Sequence, residues 1–138
     1  MSALPVPSKI DDAALADLKA RVRGELIRPG DPGYDEARLV WNGMIDRRPA
    51  LILRCSGPAD AVQEVNFARV NNVLVSVRGG GHNAAGNAVC DGGIVIDLSG
   101  LKGVQVDPQR RTARVQGGVT WGELDHETQI FGLATPGG

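Results

Sequence analysis

The sequence predicts an α+β fold in which N-terminal helices lead into a small parallel βαβ sheet and then into the start of a second, mostly antiparallel sheet. Three observations predict it. Residues 50–77 read strand, helix, strand, within the roughly 30 residues of a right-handed parallel crossover. Residues 104–115 place two β-rich runs on either side of a turn, the pattern of an antiparallel hairpin. Glycine, 19 of 138 residues, clusters in loops without a period, which supplies the turns and excludes collagen-like order.

The first 45 residues read as a helical segment. Ser8 or Asp11 can cap a helix whose apolar positions Ile10, Leu15, Leu18, Val22 and Leu26 recur at helical spacing between charges. Pro29-Gly30-Asp31-Pro32-Gly33 then breaks the chain. A short helix is expected over residues 34–40, followed by a connection holding Trp41, Asn42 and Met44. Trp41 reads as a packing anchor, because an indole buries a large area.

Residues 46–100 are expected to form one subdomain built on the βαβ unit. Its first strand is ALILR, residues 50–54, and Ser56 with Pro58 signals a helix start. Ala61, Val62, Val65, Ala68, Arg69 and Asn72 set the helical pattern up to the second strand, residues 73–77. That strand reads as buried, being apolar and largely β-branched. Ile94, Val95 and Ile96 make a third strand closed by Asp97 and Ser99. From residue 101 a second α+β subdomain begins: the hairpin across Asp107 to Arg111, the Gly117-Gly118 break, then a helix over Trp121 to Gln129 with Thr120 and Glu123 as its capping box. Residues 131–138 are expected to return toward the sheet.

The chemistry concentrates where the second strand ends, in VLVSVRGGGHNAAGN, residues 73–87. Val77 and Arg78 run into Gly79, Gly80 and Gly81, which can take positive φ and let a ligand approach the main chain. Successive N–H groups in such a turn form an anion-binding concavity, which Arg78 and the Asn83 amide can supplement. This points to a phosphate or pyrophosphate held by backbone, at the strand edge where open α/β sheets bind ligands. His82 adds a nucleophilic, titratable side chain. Other phosphate motifs fit poorly. A P-loop needs Lys-Ser or Lys-Thr after its glycines, and a Rossmann fingerprint needs a helix where this chain has NAAGNAVCDGG.

Composition sets the outer bounds. A formal charge of −1 and a pI near 6.1 give no reason to expect nucleic acid or membrane as partner. Cys55 and Cys90, without a CxxC or ligand-spaced histidines, give neither a disulfide framework nor a zinc site, so no metal is expected. A reducing cytoplasm is the expected compartment. The start lacks the long apolar core of a signal peptide, and no apolar stretch approaches a membrane span. Cys90 reads as a buried small hydrophobe and His126, beside Asp125 and Glu127, as solvated. Arg78 divides evenly between phosphate partner and structural residue.

Four ordered blocks carry a resemblance: VRGGGH with a Gly-Asn pair after it, GGIVIDLSGLKGV, ARVQGGVTWGELDHET and GLATPGG. Together they strongly resemble the FAD-linked oxidases of the vanillyl-alcohol oxidase and berberine-bridge-enzyme superfamily, with a PCMH-type FAD-binding domain, over residues 50–138. The resemblance implies that the loop from Val77 to Asn83 cradles the FAD pyrophosphate and that His82 is joined covalently to the flavin 8α-methyl carbon. It also implies that Gly86, Asn87, Thr135, Pro136, Gly137 and Gly138 lie near the cofactor. The cysteine that makes a second flavin bond in some relatives matches a position just beyond Gly138, so Cys90 does not correspond to it.

On this resemblance the chain is expected to be the N-terminal piece of a longer FAD-dependent oxidoreductase, inactive alone. The complete enzyme is expected to oxidise a small alcohol, amine or sugar by hydride transfer to FAD, with oxygen or another acceptor reoxidising it. No catalytic residue is expected within the piece. The residues alone also allow a stand-alone, non-catalytic module that binds a phosphorylated ligand or a partner chain, or one that self-associates through exposed sheet edges.

Overall fold

The computed structural model describes residues 10–137, so Ser8 as a helix cap and Gly138 as a cofactor residue lie outside the described residues. Helix α1 (Asp12–Arg21) buries Leu18 against Leu51, Ala68 and Ile94. Leu26, expected on the same helix, lies instead in strand β1 (Glu25–Ile27). The cause is local. The Asp60 carboxylate accepts the N–H groups of Arg23 at 2.9 Å and Gly24 at 3.0 Å, and Gly24 presses so close that a Cβ there would lie 2.1 Å from the Arg54 carbonyl oxygen. Only glycine passes at that distance, and the chain leaves the helical path to run beside β2 (Leu51–Arg54). Helix α2 (Tyr34–Ala37) is shorter than the expected 34–40 and is fixed by Tyr34, whose hydroxyl donates to the Pro49 carbonyl at 2.6 Å.

Helix α3 (Pro58–Asn71) connects β2 to β3 (Val75–Arg78), as the crossover pattern predicts, with Pro58 at its start and Asn72 in left-handed backbone at its end. Its buried face differs from the expected one. Val62 and Val65 are exposed, while Asp60, Glu64 and Ala68, each four residues apart, face inward. Asp60 sets this rotation. Besides Arg23 and Gly24, it accepts the Ser56 N–H at 2.8 Å and the Ser56 hydroxyl at 2.9 Å. Burial acts to raise the Asp60 carboxyl, but these donors outweigh it and hold the pKa below the ordinary value.

Strand β4 (Ile94–Asp97) lies between β2 and β3 and is parallel to both, giving the order β1-β2-β4-β3 with β1 antiparallel at one edge. The core therefore centres on β2 and β4, where Leu51, Ile52, Leu53, Ile94 and Val95 are wholly buried. Strand β3, read from the sequence as buried, is the other edge: Ser76 and Arg78 turn inward, while Leu74 and Val77 are 61% and 52% exposed. β5 (Val104–Asp107) and β6 (Thr112–Val115) form the antiparallel hairpin. Helix α4 (Trp121–Gln129) follows with its capping box closed between Thr120 and Glu123. Residues 131–137 form no strand, contrary to the expected return to the sheet. The Leu133 N–H folds back to the Thr128 carbonyl at 3.2 Å and Gly132 takes φ +65, which turns the chain at the helix end. Among the described residues no helix is long and apolar enough to cross a membrane.

Candidate functional site

The parallel register places Arg54, Asp97 and Arg78 in one row at the carboxyl end of the sheet. Asp97, 1% exposed, accepts a hydrogen bond from Arg78 Nη2 at 2.6 Å and another from the Ser99 N–H at 3.0 Å. Burial acts to raise its pKa, and the Arg78 guanidinium with the Ser99 N–H overcomes this and holds it below the usual carboxylate range. Arg78 also donates from Nη1 to the carbonyls of Ala37 and Leu39. Of the two roles open to Arg78 in the sequence, its side chain takes the structural one, locking β3 to β4 and to the segment after α2.

The glycine loop leaves this buried row. Among the described residues, none of the N–H groups from Gly79 to Asn83 donates to a protein acceptor. The loop is thus a run of backbone donors at a strand's carboxyl end. Of its three glycines only Gly81 has positive φ, at +72, so the expectation of such backbone at Gly79 and Gly80 is corrected. Those two serve close approach instead. A Cβ on Gly79 would lie 2.5 Å from the Gly117 carbonyl oxygen, and one on Gly80 would lie 2.8 Å from His82 Cδ2. Gly79→Ala is therefore expected to force the loop and the Gly117 turn apart at a cost of about 1–3 kcal/mol, read as a lowered unfolding midpoint. Gly80→Ala displaces only a side chain and should cost less.

The segment between α2 and β2 buttresses the loop from outside. The Trp41 N–H donates to the Gly81 carbonyl at 3.1 Å, Asn42 Nδ2 to the Ala84 carbonyl at 3.0 Å, and Arg47 Nη1 to the carbonyls of Gly86 and Val89 at 3.1 and 3.0 Å. The loop closes on itself through Asn83, whose carbonyl accepts the Gly86 N–H and whose Oδ1 accepts the Asn87 N–H, both at 3.0 Å. Trp41 is no core anchor. It is 74% exposed, and its ring stacks on the exposed His82 imidazole with centroids 6.1 Å apart and planes 19° apart. Sequence reasoning missed the roles of Trp41, Asn42 and Arg47, though Trp41 stood outside any periodic apolar pattern, which argued against a core slot.

A cleft of about 450 Å³ opens here, with Leu39, Trp41, Arg78, Gly79, Gly80 and Asp97 among its lining. Thr135, Pro136 and Gly137 are exposed, with Gly137 close against the Trp121 ring. Among the described residues no hydrogen bond joins that segment to residues 79–83. Cys90 is buried and accepts the Ser76 hydroxyl at 3.4 Å, and burial raises its thiol pKa. His126 is exposed beside Glu127.

Residues 49–137 match the FAD binding domain family. The chain belongs to that family. This FAD-binding domain is 42% identical to the (R)-6-hydroxynicotine oxidase of Paenarthrobacter nicotinovorans, over 82% of the chain and 25% of that protein. It is 32% identical to the FAD-linked oxidoreductase YgaK of Bacillus subtilis, over 87% of the chain and 27% of the relative. The chain thus spans about a quarter of the length of the curated relatives it matches. Its fold superimposes on 6-hydroxy-D-nicotine oxidase from Arthrobacter nicotinovorans with a TM-score of 0.76 and 41% identity, covering 80% of this chain and 24% of that one. A variant of the BBE-like 1 protein of Physcomitrella patens gives a TM-score of 0.77 at 26% identity, over 84% and 26% of the two chains. The FAD-binding domain is accordingly a mixed α+β unit of the type found in these oxidases.

Proposed function

We propose that this FAD-binding domain holds the cofactor by its pyrophosphate on the Gly79–Asn83 backbone and carries it covalently on His82, within an oxidoreductase acting on a small alcohol, amine or sugar. The observation that carries this reading is the run of N–H groups from Gly79 to Asn83 without a protein acceptor among the described residues. Such a run complements two phosphates. Val77, Gly86, Asn87, Thr135, Pro136, Gly137 and Gly138 complete the cofactor surface on this reading. Residues 46–100 form the pyrophosphate subdomain, and 101–138 begin the second. A reducing, cytoplasmic setting is part of the same reading.

When bound, the flavin supplies the electron chemistry, accepting hydride from substrate and passing electrons to dioxygen or another acceptor. The chain's own part is to orient. The Arg78–Asp97 pair fixes the end of β3, so the loop donors are already aimed before the cofactor arrives. His82 would hold the flavin through a ring nitrogen bonded to the 8α-methyl carbon, an oxidative attachment in which one N–H and one C–H bond would be exchanged for one C–N bond and dioxygen would take up the electron pair and two protons as hydrogen peroxide.

An absorbance scan of the purified chain, loaded with FAD and then acid-precipitated, tests the reading. Flavin bands are expected to stay with the protein and to be released to the supernatant in His82→Ala. Acid-stable flavin surviving in that variant would remove His82 from the attachment point. A chain that takes up no FAD at all would remove the cradle.

A further inference from the structure

We infer that Trp41 is a positioning residue for His82, its indole holding the imidazole in the orientation from which a ring nitrogen reaches the flavin. This rests on the reading of His82 as the attachment residue.

Three contacts define the arrangement. The Trp41 N–H is bonded to the carbonyl of Gly81, directly before His82, so the indole is tied to the loop that it touches. The two rings stack with centroids 6.1 Å apart and planes 19° apart, inside the separation of about 4.5–7 Å at which aromatic pairs attract. On the loop side, the space a Gly80 side chain would fill is occupied by the ring's Cδ2 and Nε2 edge, at 2.8 and 3.3 Å from that position. The imidazole is thereby confined between the Trp41 indole and the Gly80 main chain.

Among the described residues the His82 ring takes part in no hydrogen bond or ion pair. An exposed histidine on a glycine loop would otherwise sample several rotamers. A stack engages the ring's faces, and with the Cδ2 and Nε2 edge turned to Gly80 it leaves Nδ1 uncommitted, as a group that must form a bond requires. Packing does not account for Trp41, since 74% of it is exposed.

The chain has only two histidines, His82 and His126, so their ring signals can be followed separately by nuclear magnetic resonance of the labelled chain before FAD is added. The His82 ring protons are expected to carry an upfield ring-current shift that disappears in Trp41→Ala and persists in Trp41→Phe, with the His126 signals unmoved. On adding FAD, acid-stable flavin is expected to form about tenfold more slowly in Trp41→Ala, as misplacement of a reacting group implies, and to recover in Trp41→Phe. An attachment rate in Trp41→Ala equal to the unmodified chain's would overturn the inference, as would His82 signals indifferent to Trp41. If the unmodified chain itself forms no acid-stable flavin, the attachment reading of His82 fails and the inference falls with it. That outcome is distinct from the first two, in which attachment proceeds without help from Trp41.

Discussion

Glu64→Met is expected to stabilise the chain at pH 8 by between about 2 and 5 kcal/mol, seen as a higher urea midpoint at unchanged slope. Glu64 lies on the sheet-facing side of α3, wholly buried, and neither carboxyl oxygen has a hydrogen-bond partner among the described residues. Burial first, and then the charges of Asp60 and Asp97, push its pKa up to about 9 from an ordinary 4.5. Above pH 4.5 the unfolded chain has released this proton while the folded chain keeps it. Stability therefore falls as pH rises, levelling off only above about 9. Asp60 and Asp97 work in the opposite sense. With folded pKa values below the ordinary carboxylate value, they contribute stability above that value and lose it as pH falls through the folded one. The unmodified chain should be most stable around pH 5. Methionine removes the ionisation and the unsatisfied oxygens, so the maximum should shift toward neutrality. A variant that kept the same decline from pH 5 to 9 would place its origin in another group.

Asp97→Ala should destabilise the chain by about 3–5 kcal/mol, the usual range for removing one partner of a buried ion pair. The substitution leaves the Arg78 guanidinium, 8% exposed, with only the Ala37 and Leu39 carbonyls, and it frees the Ser99 N–H. Because Asp97 ends the central strand β4, the loss falls on the contact that joins it to β3. Asp97→Asn should cost less, since an amide oxygen still accepts. Adding Arg78→Met to Asp97→Ala should restore part of the loss, because no unpaired charge then remains buried. Denaturant unfolding of the single and double variants measures all three. A loss under about 1 kcal/mol in Asp97→Ala would mean the guanidinium reaches water on its own.

Regular elements whose signals are local were legible in the sequence. The α3 crossover, the β5–β6 hairpin and the α4 capping box follow from spacing and cap chemistry within a few residues. What eluded it depended on distant partners. Leu26 leaves its helix because Asp60, 36 residues beyond Gly24, takes that residue's N–H. The rotation of α3 is set by the same carboxylate, and periodicity does not register a buried acid. β3 looked buried because its residues are apolar, yet β4 takes the central position and leaves β3 at the edge. The glycine loop was legible as a ligand loop, whereas the Trp41 stack and the Arg78–Asp97 pair needed tertiary register to be seen.

The placing of β4 between β2 and β3 also governs the sequence of events in synthesis. Strands β2 and β3, with α3 joining them, emerge from the ribosome before their shared neighbour exists, so neither has its parallel partner until residues 94–97 have been made. During that interval the wholly buried side chains of Leu51, Ile52 and Leu53 have no inner strand to lie against. The nascent sheet is a pair of strands awaiting a keystone, and its closure, together with the alignment of the glycine loop above it, depends on the pairing of β4 with both.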